Sequence, residues 1–302
     1  MRSVCIAILL LPLFITEGVG QWSHVDDSIF AVCAEQIKRL PPEFFTVADI
    51  GKLFLGTPYV AGALDRDSTK EQLVIDLHEF DCVTFYENSL ALWIDAQGNG
   101  FDGSTFHAPS ADKNGFNGIL HQLRYRGGIM NRYHSRLHYT TDYFFDNEDT
   151  HRPHGNTFLK EETRAIGGAF VKQDHRMINF MSQHRSSYKQ IAHNDAEFNA
   201  IVKVENRMHA RNNFWYIPKG DVEKIESKIQ SGDILGITTN IDGLDCSHTG
   251  IAIKMPDGRI HFLHASSLAG KVIISEEPLA EYLTHSSHQT GIIVARPQVF
   301  LD

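Results

Sequence analysis

Positive charge is in short supply. Lys and Arg number 28 against 37 Asp and Glu, a formal net charge of −9 with histidine neutral. Nucleic acids and anionic membranes are recognised by clustered Lys and Arg, so this balance argues against nucleic acid as a partner. Cysteine is scarce, four in 302 residues. No CxxC or HExxH pattern occurs, which removes the commonest zinc signatures, and no GxxxxGK[ST] phosphate loop occurs either. Internal repeats and low-complexity linkers are lacking. No apolar run approaches the roughly 20 residues that a membrane-spanning helix needs. What is present is a globular composition, 42% hydrophobic and 22% charged, long enough to bury a proper core.

The N-terminus carries an address. Arg2 precedes an apolar stretch from Val4 to Ile15, and Glu17-Gly18-Val19-Gly20 supplies small residues ahead of Gln21. This pattern predicts a cleaved export signal over residues 1–20 and a mature chain of 21–302 in one domain, periplasmic or secreted, with no membrane span after cleavage. Cleavage removes Cys5 and leaves Cys33, Cys82 and Cys246. An odd count implies a free thiol. If Cys82 is the free one, Cys33 and Cys246 are left to pair, an option whose geometry the sequence does not test.

Periodicity assigns helix to 26–40, ended by Pro41-Pro42, and a short helix to Thr46–Phe54. Gly56 to Gly62 reads as a turn-rich loop and Leu73 to Leu77 as a short strand. From Asp81, apolar residues recur at three- and four-residue steps (Val83, Tyr86, Leu90, Trp93), with Asp81 as N-cap and Gly98 as stop. Residues 99–115 read as a surface loop, Leu137 to Thr141 as extended chain, Phe170 to Tyr188 as partly helical, and 221–229 as a short amphipathic helix. From Asp233 the period drops to two. Strands are predicted at 234–237, 249–254, 259–264, 271–275 and 291–296, with Pro256-Asp257-Gly258 as a hairpin turn. Helices first and an antiparallel sheet after them make the α+β class.

Three residues carry the chemistry. Cys82 falls in the first turn of a helix, where free backbone N–H groups and the helix dipole favour a thiolate and can later receive an oxyanion. His248 opens an alternating strand beside Gly250, and His264 ends the partner strand of a tight hairpin. Adjacent strands bring one imidazole within reach of the other, and a base oriented by a third polar group is the general triad arrangement. Cys246 is a poorer nucleophile, with no helix after it. His261 is a poorer third residue, since three positions along a strand reverse the face. The stretch His134, His138, His151, His154 is rich in imidazole but has no metal-ligand spacing, and no metal or organic cofactor is called for.

Five segments stand in a telling order: Gly56-Thr57-Pro58-Tyr59-Val60-Ala61-Gly62, Phe80-Asp81-Cys82-Val83-Thr84-Phe85, Ser231-Gly232-Asp233-Ile234, His248-Thr249-Gly250-Ile251-Ala252 and His264-Ala265-Ser266. In this order the chain resembles the NlpC-type cell-wall cysteine peptidases of papain-like fold. Ser135 to Asp142, Ile178 to Ser182 and Gly243-Leu244-Asp245 make it similar to their N-acetylmuramoyl-L-alanine amidase-like branch. The resemblance implies Cys82 as nucleophile, His248 as base and His264 as the third member. It implies that Tyr59, Asp81, Asp245 and Ser247 lie at the oxyanion or substrate. A family-specific insert around 99–220 would add Arg136, His138 and Tyr139 as cleft wall. The implied substrate is peptidoglycan or its fragments, cut between the lactyl group and L-Ala. Val83-Thr84 replace the Ser-Gly that usually follows the nucleophile of the endopeptidases. A γ-D-glutamyl-diamino acid endopeptidase and a non-catalytic wall-binding module remain as alternatives.

Overall fold

The computed structural model describes residues 22–40, 45–65, 70–100, 112–148 and 157–298. The predicted export signal, most of the 99–115 loop, His151 and His154 lie outside them. Helices α1 (His24–Ile37), α2 (Val47–Leu53), α3 (Cys82–Gly100), α4 (Lys113–Arg124) and α5 (Thr140–Glu148) come first. Strand β1 (Leu159–Glu161), helix α6 (Thr163–Gly167), strand β2 (Lys172–Gln173) and helices α7 (Phe180–Gln183), α8 (Lys189–Ala192) and α9 (Asp195–Arg211) follow. The chain then runs through β3 (Trp215–Pro218), α10 (Val222–Ile225), β4 (Ile234–Thr239), β5 (Cys246–Lys254), β6 (Ile260–Ser266), β7 (Lys271–Ile274), α11 (Leu279–Tyr282) and β8 (Gln289–Pro297).

The strands join one antiparallel sheet in the order β2-β3-β8-β4-β5-β6-β7, with β1 also paired to β8. The architecture is α+β. Both faces of the sheet are covered, and the two-residue strand period decides which side chain goes where. Ile251, Ile253, Leu263 and Ala265 join the larger core under α2 and α3. Their neighbours Ala252, Ile260 and Phe262 join a second core with Val222, Ile225, Leu279 and Leu283. Strands β4 and β6 are buried along their whole length for that reason.

Several local expectations fail for identifiable reasons. Leu73 to Leu77 forms no strand. Its backbone groups are claimed by side chains: the Leu77 amide donates to Asp26 at 2.8 Å and the Val74 carbonyl accepts from Arg124. Leu137 to Thr141 does not stay extended, because α5 begins at Thr140. The 99–115 stretch is helical at both ends, in α3 and α4. Cys33 and Cys246 are unpaired buried thiols. Among the described residues no helix is long and apolar enough to cross a membrane.

One glycine keeps the central hairpin tight. A Cβ on Gly250 would lie 2.7 Å from the Leu263 carbonyl oxygen and 2.8 Å from the His264 Cβ. The first is backbone and the second is bonded directly to it, so neither can swing away. Gly250→Ala is therefore expected to cost about 1–3 kcal/mol in urea unfolding and to move His264. An unchanged midpoint with full activity would show that β6 has room to shift.

Candidate active site

Cys82 is the first residue of α3 and is partly exposed. Asp81 fixes that helix start. One of its carboxylate oxygens accepts from the Val83 amide at 3.1 Å and the Thr84 amide at 2.8 Å. The other accepts from the Ala63 amide at 3.2 Å, and the Asp81 amide donates back to the Thr84 hydroxyl at 2.9 Å. This reciprocal cap satisfies the second and third N–H groups of the helix. The Cys82 amide is left beside its own sulfur. Asp81 thus acts as the N-cap that the sequence predicts.

The thiol is not poised as an anion. Burial pushes it up to about 11, and the Asp81 carboxylate adds to the rise. The hydroxyl and amide of Thr249 and the Cys82 amide pull the other way. The expectation of a resting thiolate is corrected accordingly: crowding and a nearby carboxylate outweigh the helix N-terminus.

Strand β5 supplies the imidazole. The β4–β5 register pairs Ile237 with His248 and Thr238 with Cys246, so Ser247 is an extra residue without a partner on β4. Such a bulge re-aims the side chain beside it. Ser247 itself is exposed. His248 Nε2 lies 2.6 Å from His264 Nδ1, so one ring nitrogen donates to the other. His264 is 2% exposed, stacked on Phe262 at 4.5 Å and edge-on to Tyr282 at 5.4 Å, which locks its ring. His261 turns elsewhere, to the Ser275 carbonyl and Asp257.

Cys82 meets this pair through Thr249, the residue after His248. The Thr249 hydroxyl donates to the Cys82 carbonyl at 3.0 Å. Among the described residues no hydrogen bond joins the thiol directly to His248; catalytic contacts of this kind often tighten only when substrate binds. Tyr59 is half-buried, and its phenol is raised by burial first and then by its nearness to Cys82 and to the Asp81 carboxylate.

The remaining expected residues do not face this site as free side chains. Arg136 is buried, bonded to Asp65 at 3.0 Å and Glu71 at 3.1 Å. His138 bonds the Tyr133 carbonyl at 2.8 Å, and the Tyr139 hydroxyl donates to Glu205 at 2.8 Å and accepts from the Met181 amide. Asp245 is buried and accepts from the Thr141 amide and hydroxyl and from the Cys246 amide, tying α5 to β5. Their burial has a common cause: each satisfies a partner that would otherwise be orphaned inside the fold. Thr249, Phe262 and Tyr282 were not anticipated. Only Phe262 had a sequence signal, being two residues from His264 and so on its face.

Burial also keeps three imidazoles neutral. It lowers His248 to about 4, His138 to about 3 with help from Arg136, and His264 to about 3 with help from His248. An unfolded histidine protonates near pH 6.5, so below that the unfolded chain binds protons the folded chain refuses. The sign follows: the stability these groups contribute is complete above about pH 6.5 and falls as pH drops from there towards 4, by up to about 1.4 kcal/mol per pH unit for each group. Urea midpoints at pH 7.5 and pH 5 check this, and His138→Gln should flatten the slope. Equal midpoints would contradict it.

The family described as AmiA-like, N-acetylmuramoyl-L-alanine amidase-like, matches residues 49–292. The structure of an N-acetylmuramoyl-L-alanine amidase from Bacteroides uniformis ATCC 8492 is similar to this chain at 31% identity. The alignment covers 84% of this chain and 99% of that one, with a TM-score of 0.69. A Bacteroides fragilis protein provisionally named a xylanase is 33% identical over 82% of this chain and 99% of its own, at a TM-score of 0.68. A protein of Legionella pneumophila str. Philadelphia 1 shares the fold at 21% identity and a TM-score of 0.63, over 91% of this chain and 97% of its own. No curated protein matches.

Proposed function

Because the chain belongs to the N-acetylmuramoyl-L-alanine amidase-like family, we propose that it is a cysteine hydrolase, of NlpC-type papain-like fold, that cuts the amide between the muramic acid lactyl group and L-Ala of peptidoglycan or its fragments. It would act outside the cytoplasm, after removal of residues 1–20, as one catalytic domain with an insert around 99–220. The observation that carries the reading is the pairing of a capped helix-start cysteine with a locked His248–His264 couple on the hairpin beside it.

The chemistry runs from neutral groups. With thiol and imidazole both uncharged at rest, His248 acts as general base in the attack. Substrate binding brings His248 Nδ1 to the thiol. The S–H proton passes to that nitrogen as sulfur bonds the lactyl carbonyl carbon. His248 Nε2–H donates to His264 Nδ1 throughout, which fixes the tautomer. The Cys82 amide, left free by the Asp81 cap, and the Tyr59 hydroxyl receive the oxyanion. His248 then protonates the departing L-Ala nitrogen, and a thioester remains. Water, activated by His248, releases the lactyl carboxylate and the thiol.

Two-carboxylate glycoside hydrolysis has no counterpart among the described residues around Cys82, since Asp81 is engaged as the helix cap. The test offers purified protein an N-acetylmuramoyl-L-Ala-D-isoGln-diamino acid peptide and the same peptide without its sugar, with products read by mass spectrometry. Release of a peptide with a free L-Ala amine supports the amidase. Cleavage after D-isoGln in the sugar-free peptide alone points to the endopeptidase, and no turnover of either leaves the binding module.

A further inference from the structure

A second charged site lies away from the cysteine, between α5, α9 and the turn after α4. A cleft of about 450 Å³ opens there, lined by three guanidiniums, Arg126, Arg207 and Arg211. Asp142 is buried at its floor and takes one contact from each of two of them: Arg126 Nη2 at 2.5 Å and Arg211 Nη2 at 2.6 Å. Asp146, also lining the cleft, accepts from the Gly127 amide. Among the described residues the guanidiniums therefore outnumber the carboxylates by one. In a chain of net charge −9 such an excess is against the trend.

The donors are also incompletely used. Among the described residues the Nε atoms of Arg126 and Arg211 are buried and have no hydrogen-bond partner. Asp142 meets each of the two guanidiniums through a single Nη2 and not through a two-pronged fork, so a second acceptor on the cleft side would meet positive charge not yet spent. Arg207 stands exposed on α9, and among the described residues no carboxylate pairs with it. Partial burial and the like charge of Arg126 lower its proton affinity, with Asp142 opposing and Arg211 adding a smaller share. An anion would relieve that repulsion. Phe145, 38% exposed and covered by the Arg211 guanidinium at 3.9 Å, forms an apolar wall with Ala210.

We propose that this cleft binds a peptide-type carboxylate, gripped by Arg207 at the mouth and drawn in by the Arg126 and Arg211 guanidiniums that line it, with a small apolar side chain against Phe145. A single negative charge balances the excess. Guanidinium forks match a planar carboxylate. The apolar wall suits a group next to the carboxylate better than it suits a hydrated phosphate. The site goes beyond the amidase reading and stands whether or not that reading holds.

The experiment follows the arginine Nε–H signals of the full chain by 15N NMR at constant ionic strength, with N-acetylalanine, dimethyl phosphate and chloride as probes. N-acetylalanine should shift the Arg126 and Arg211 signals saturably, and Arg207→Gln should weaken that binding by about tenfold or more with the backbone spectrum otherwise kept. Arg207 is exposed, so the variant is expected to fold. Dimethyl phosphate binding as tightly or tighter would overturn the carboxylate assignment. Equal shifts with chloride, or no loss in Arg207→Gln, would overturn the site.

Discussion

Cys82→Ala is expected to lower hydrolysis of a muramoyl-L-Ala amide by about four to six orders of magnitude while leaving the unfolding midpoint nearly unchanged. Cys82 is partly exposed, and its position in α3 is held by the Asp81 cap, not by the sulfur. Removing it deletes the bond-forming atom and little packing. His248→Ala should fall nearly as far, and the double variant no further, because nucleophile and base act as one unit. His264→Ala should fall less, since it removes the ring that orients the base and not the base itself. The check is single-turnover product formation by mass spectrometry. A Cys82→Ala protein within tenfold of wild type would end the cysteine mechanism, and additive losses in the double variant would separate Cys82 from His248.

Arg124→Met is expected to destabilise the fold by about 3–5 kcal/mol. Glu87 sits on α3 and is 1% exposed; Arg124 on α4 is 2% exposed. The guanidinium meets the Glu87 carboxylate at 2.7 and 2.8 Å and also donates to the Val74 carbonyl in the loop that leads to Cys82. Removing the arginine leaves a carboxylate and a carbonyl buried without their partner, which costs more than the pair itself contributes. Glu87→Leu combined with Arg124→Met should recover most of the loss, because two apolar side chains demand no partner. Urea unfolding of the three variants measures this. A loss under about 1 kcal/mol for Arg124→Met would mean that water reaches the pair.

Where a feature depended on near neighbours in the chain, it could be read. The strand period from Asp233 onward, the hairpin at Asp257-Gly258 and the helix beginning at Cys82 are local patterns, and each corresponds to an element of the fold. The 17-residue helix α9 had a legible start in Asn194, whose side chain accepts from the Glu197 amide, and an apolar stripe in Ile201, Val204 and Met208. It went unread because charged residues dilute that stripe. Arg136, His138 and Tyr139 misled in the opposite way. Residue type marked them as polar and chemically able, but only packing shows whether a polar side chain faces a cleft or a buried partner.

By itself the sequence determined the helix that begins at Cys82, the run of strands from Asp233 onward and the identities of a helix-start thiol and two hairpin imidazoles, because capping, periodicity and strand pairing act over a few residues. Tertiary structure alone decided the rest: the bulge at Ser247 that aims His248, the Thr249 contact that brings β5 to Cys82, and the neutral resting state of thiol and imidazole. Those outcomes depend on burial and on contacts between residues more than a hundred positions apart. Desolvation is a property of the packed interior, and no local pattern encodes how far a given atom will be removed from water.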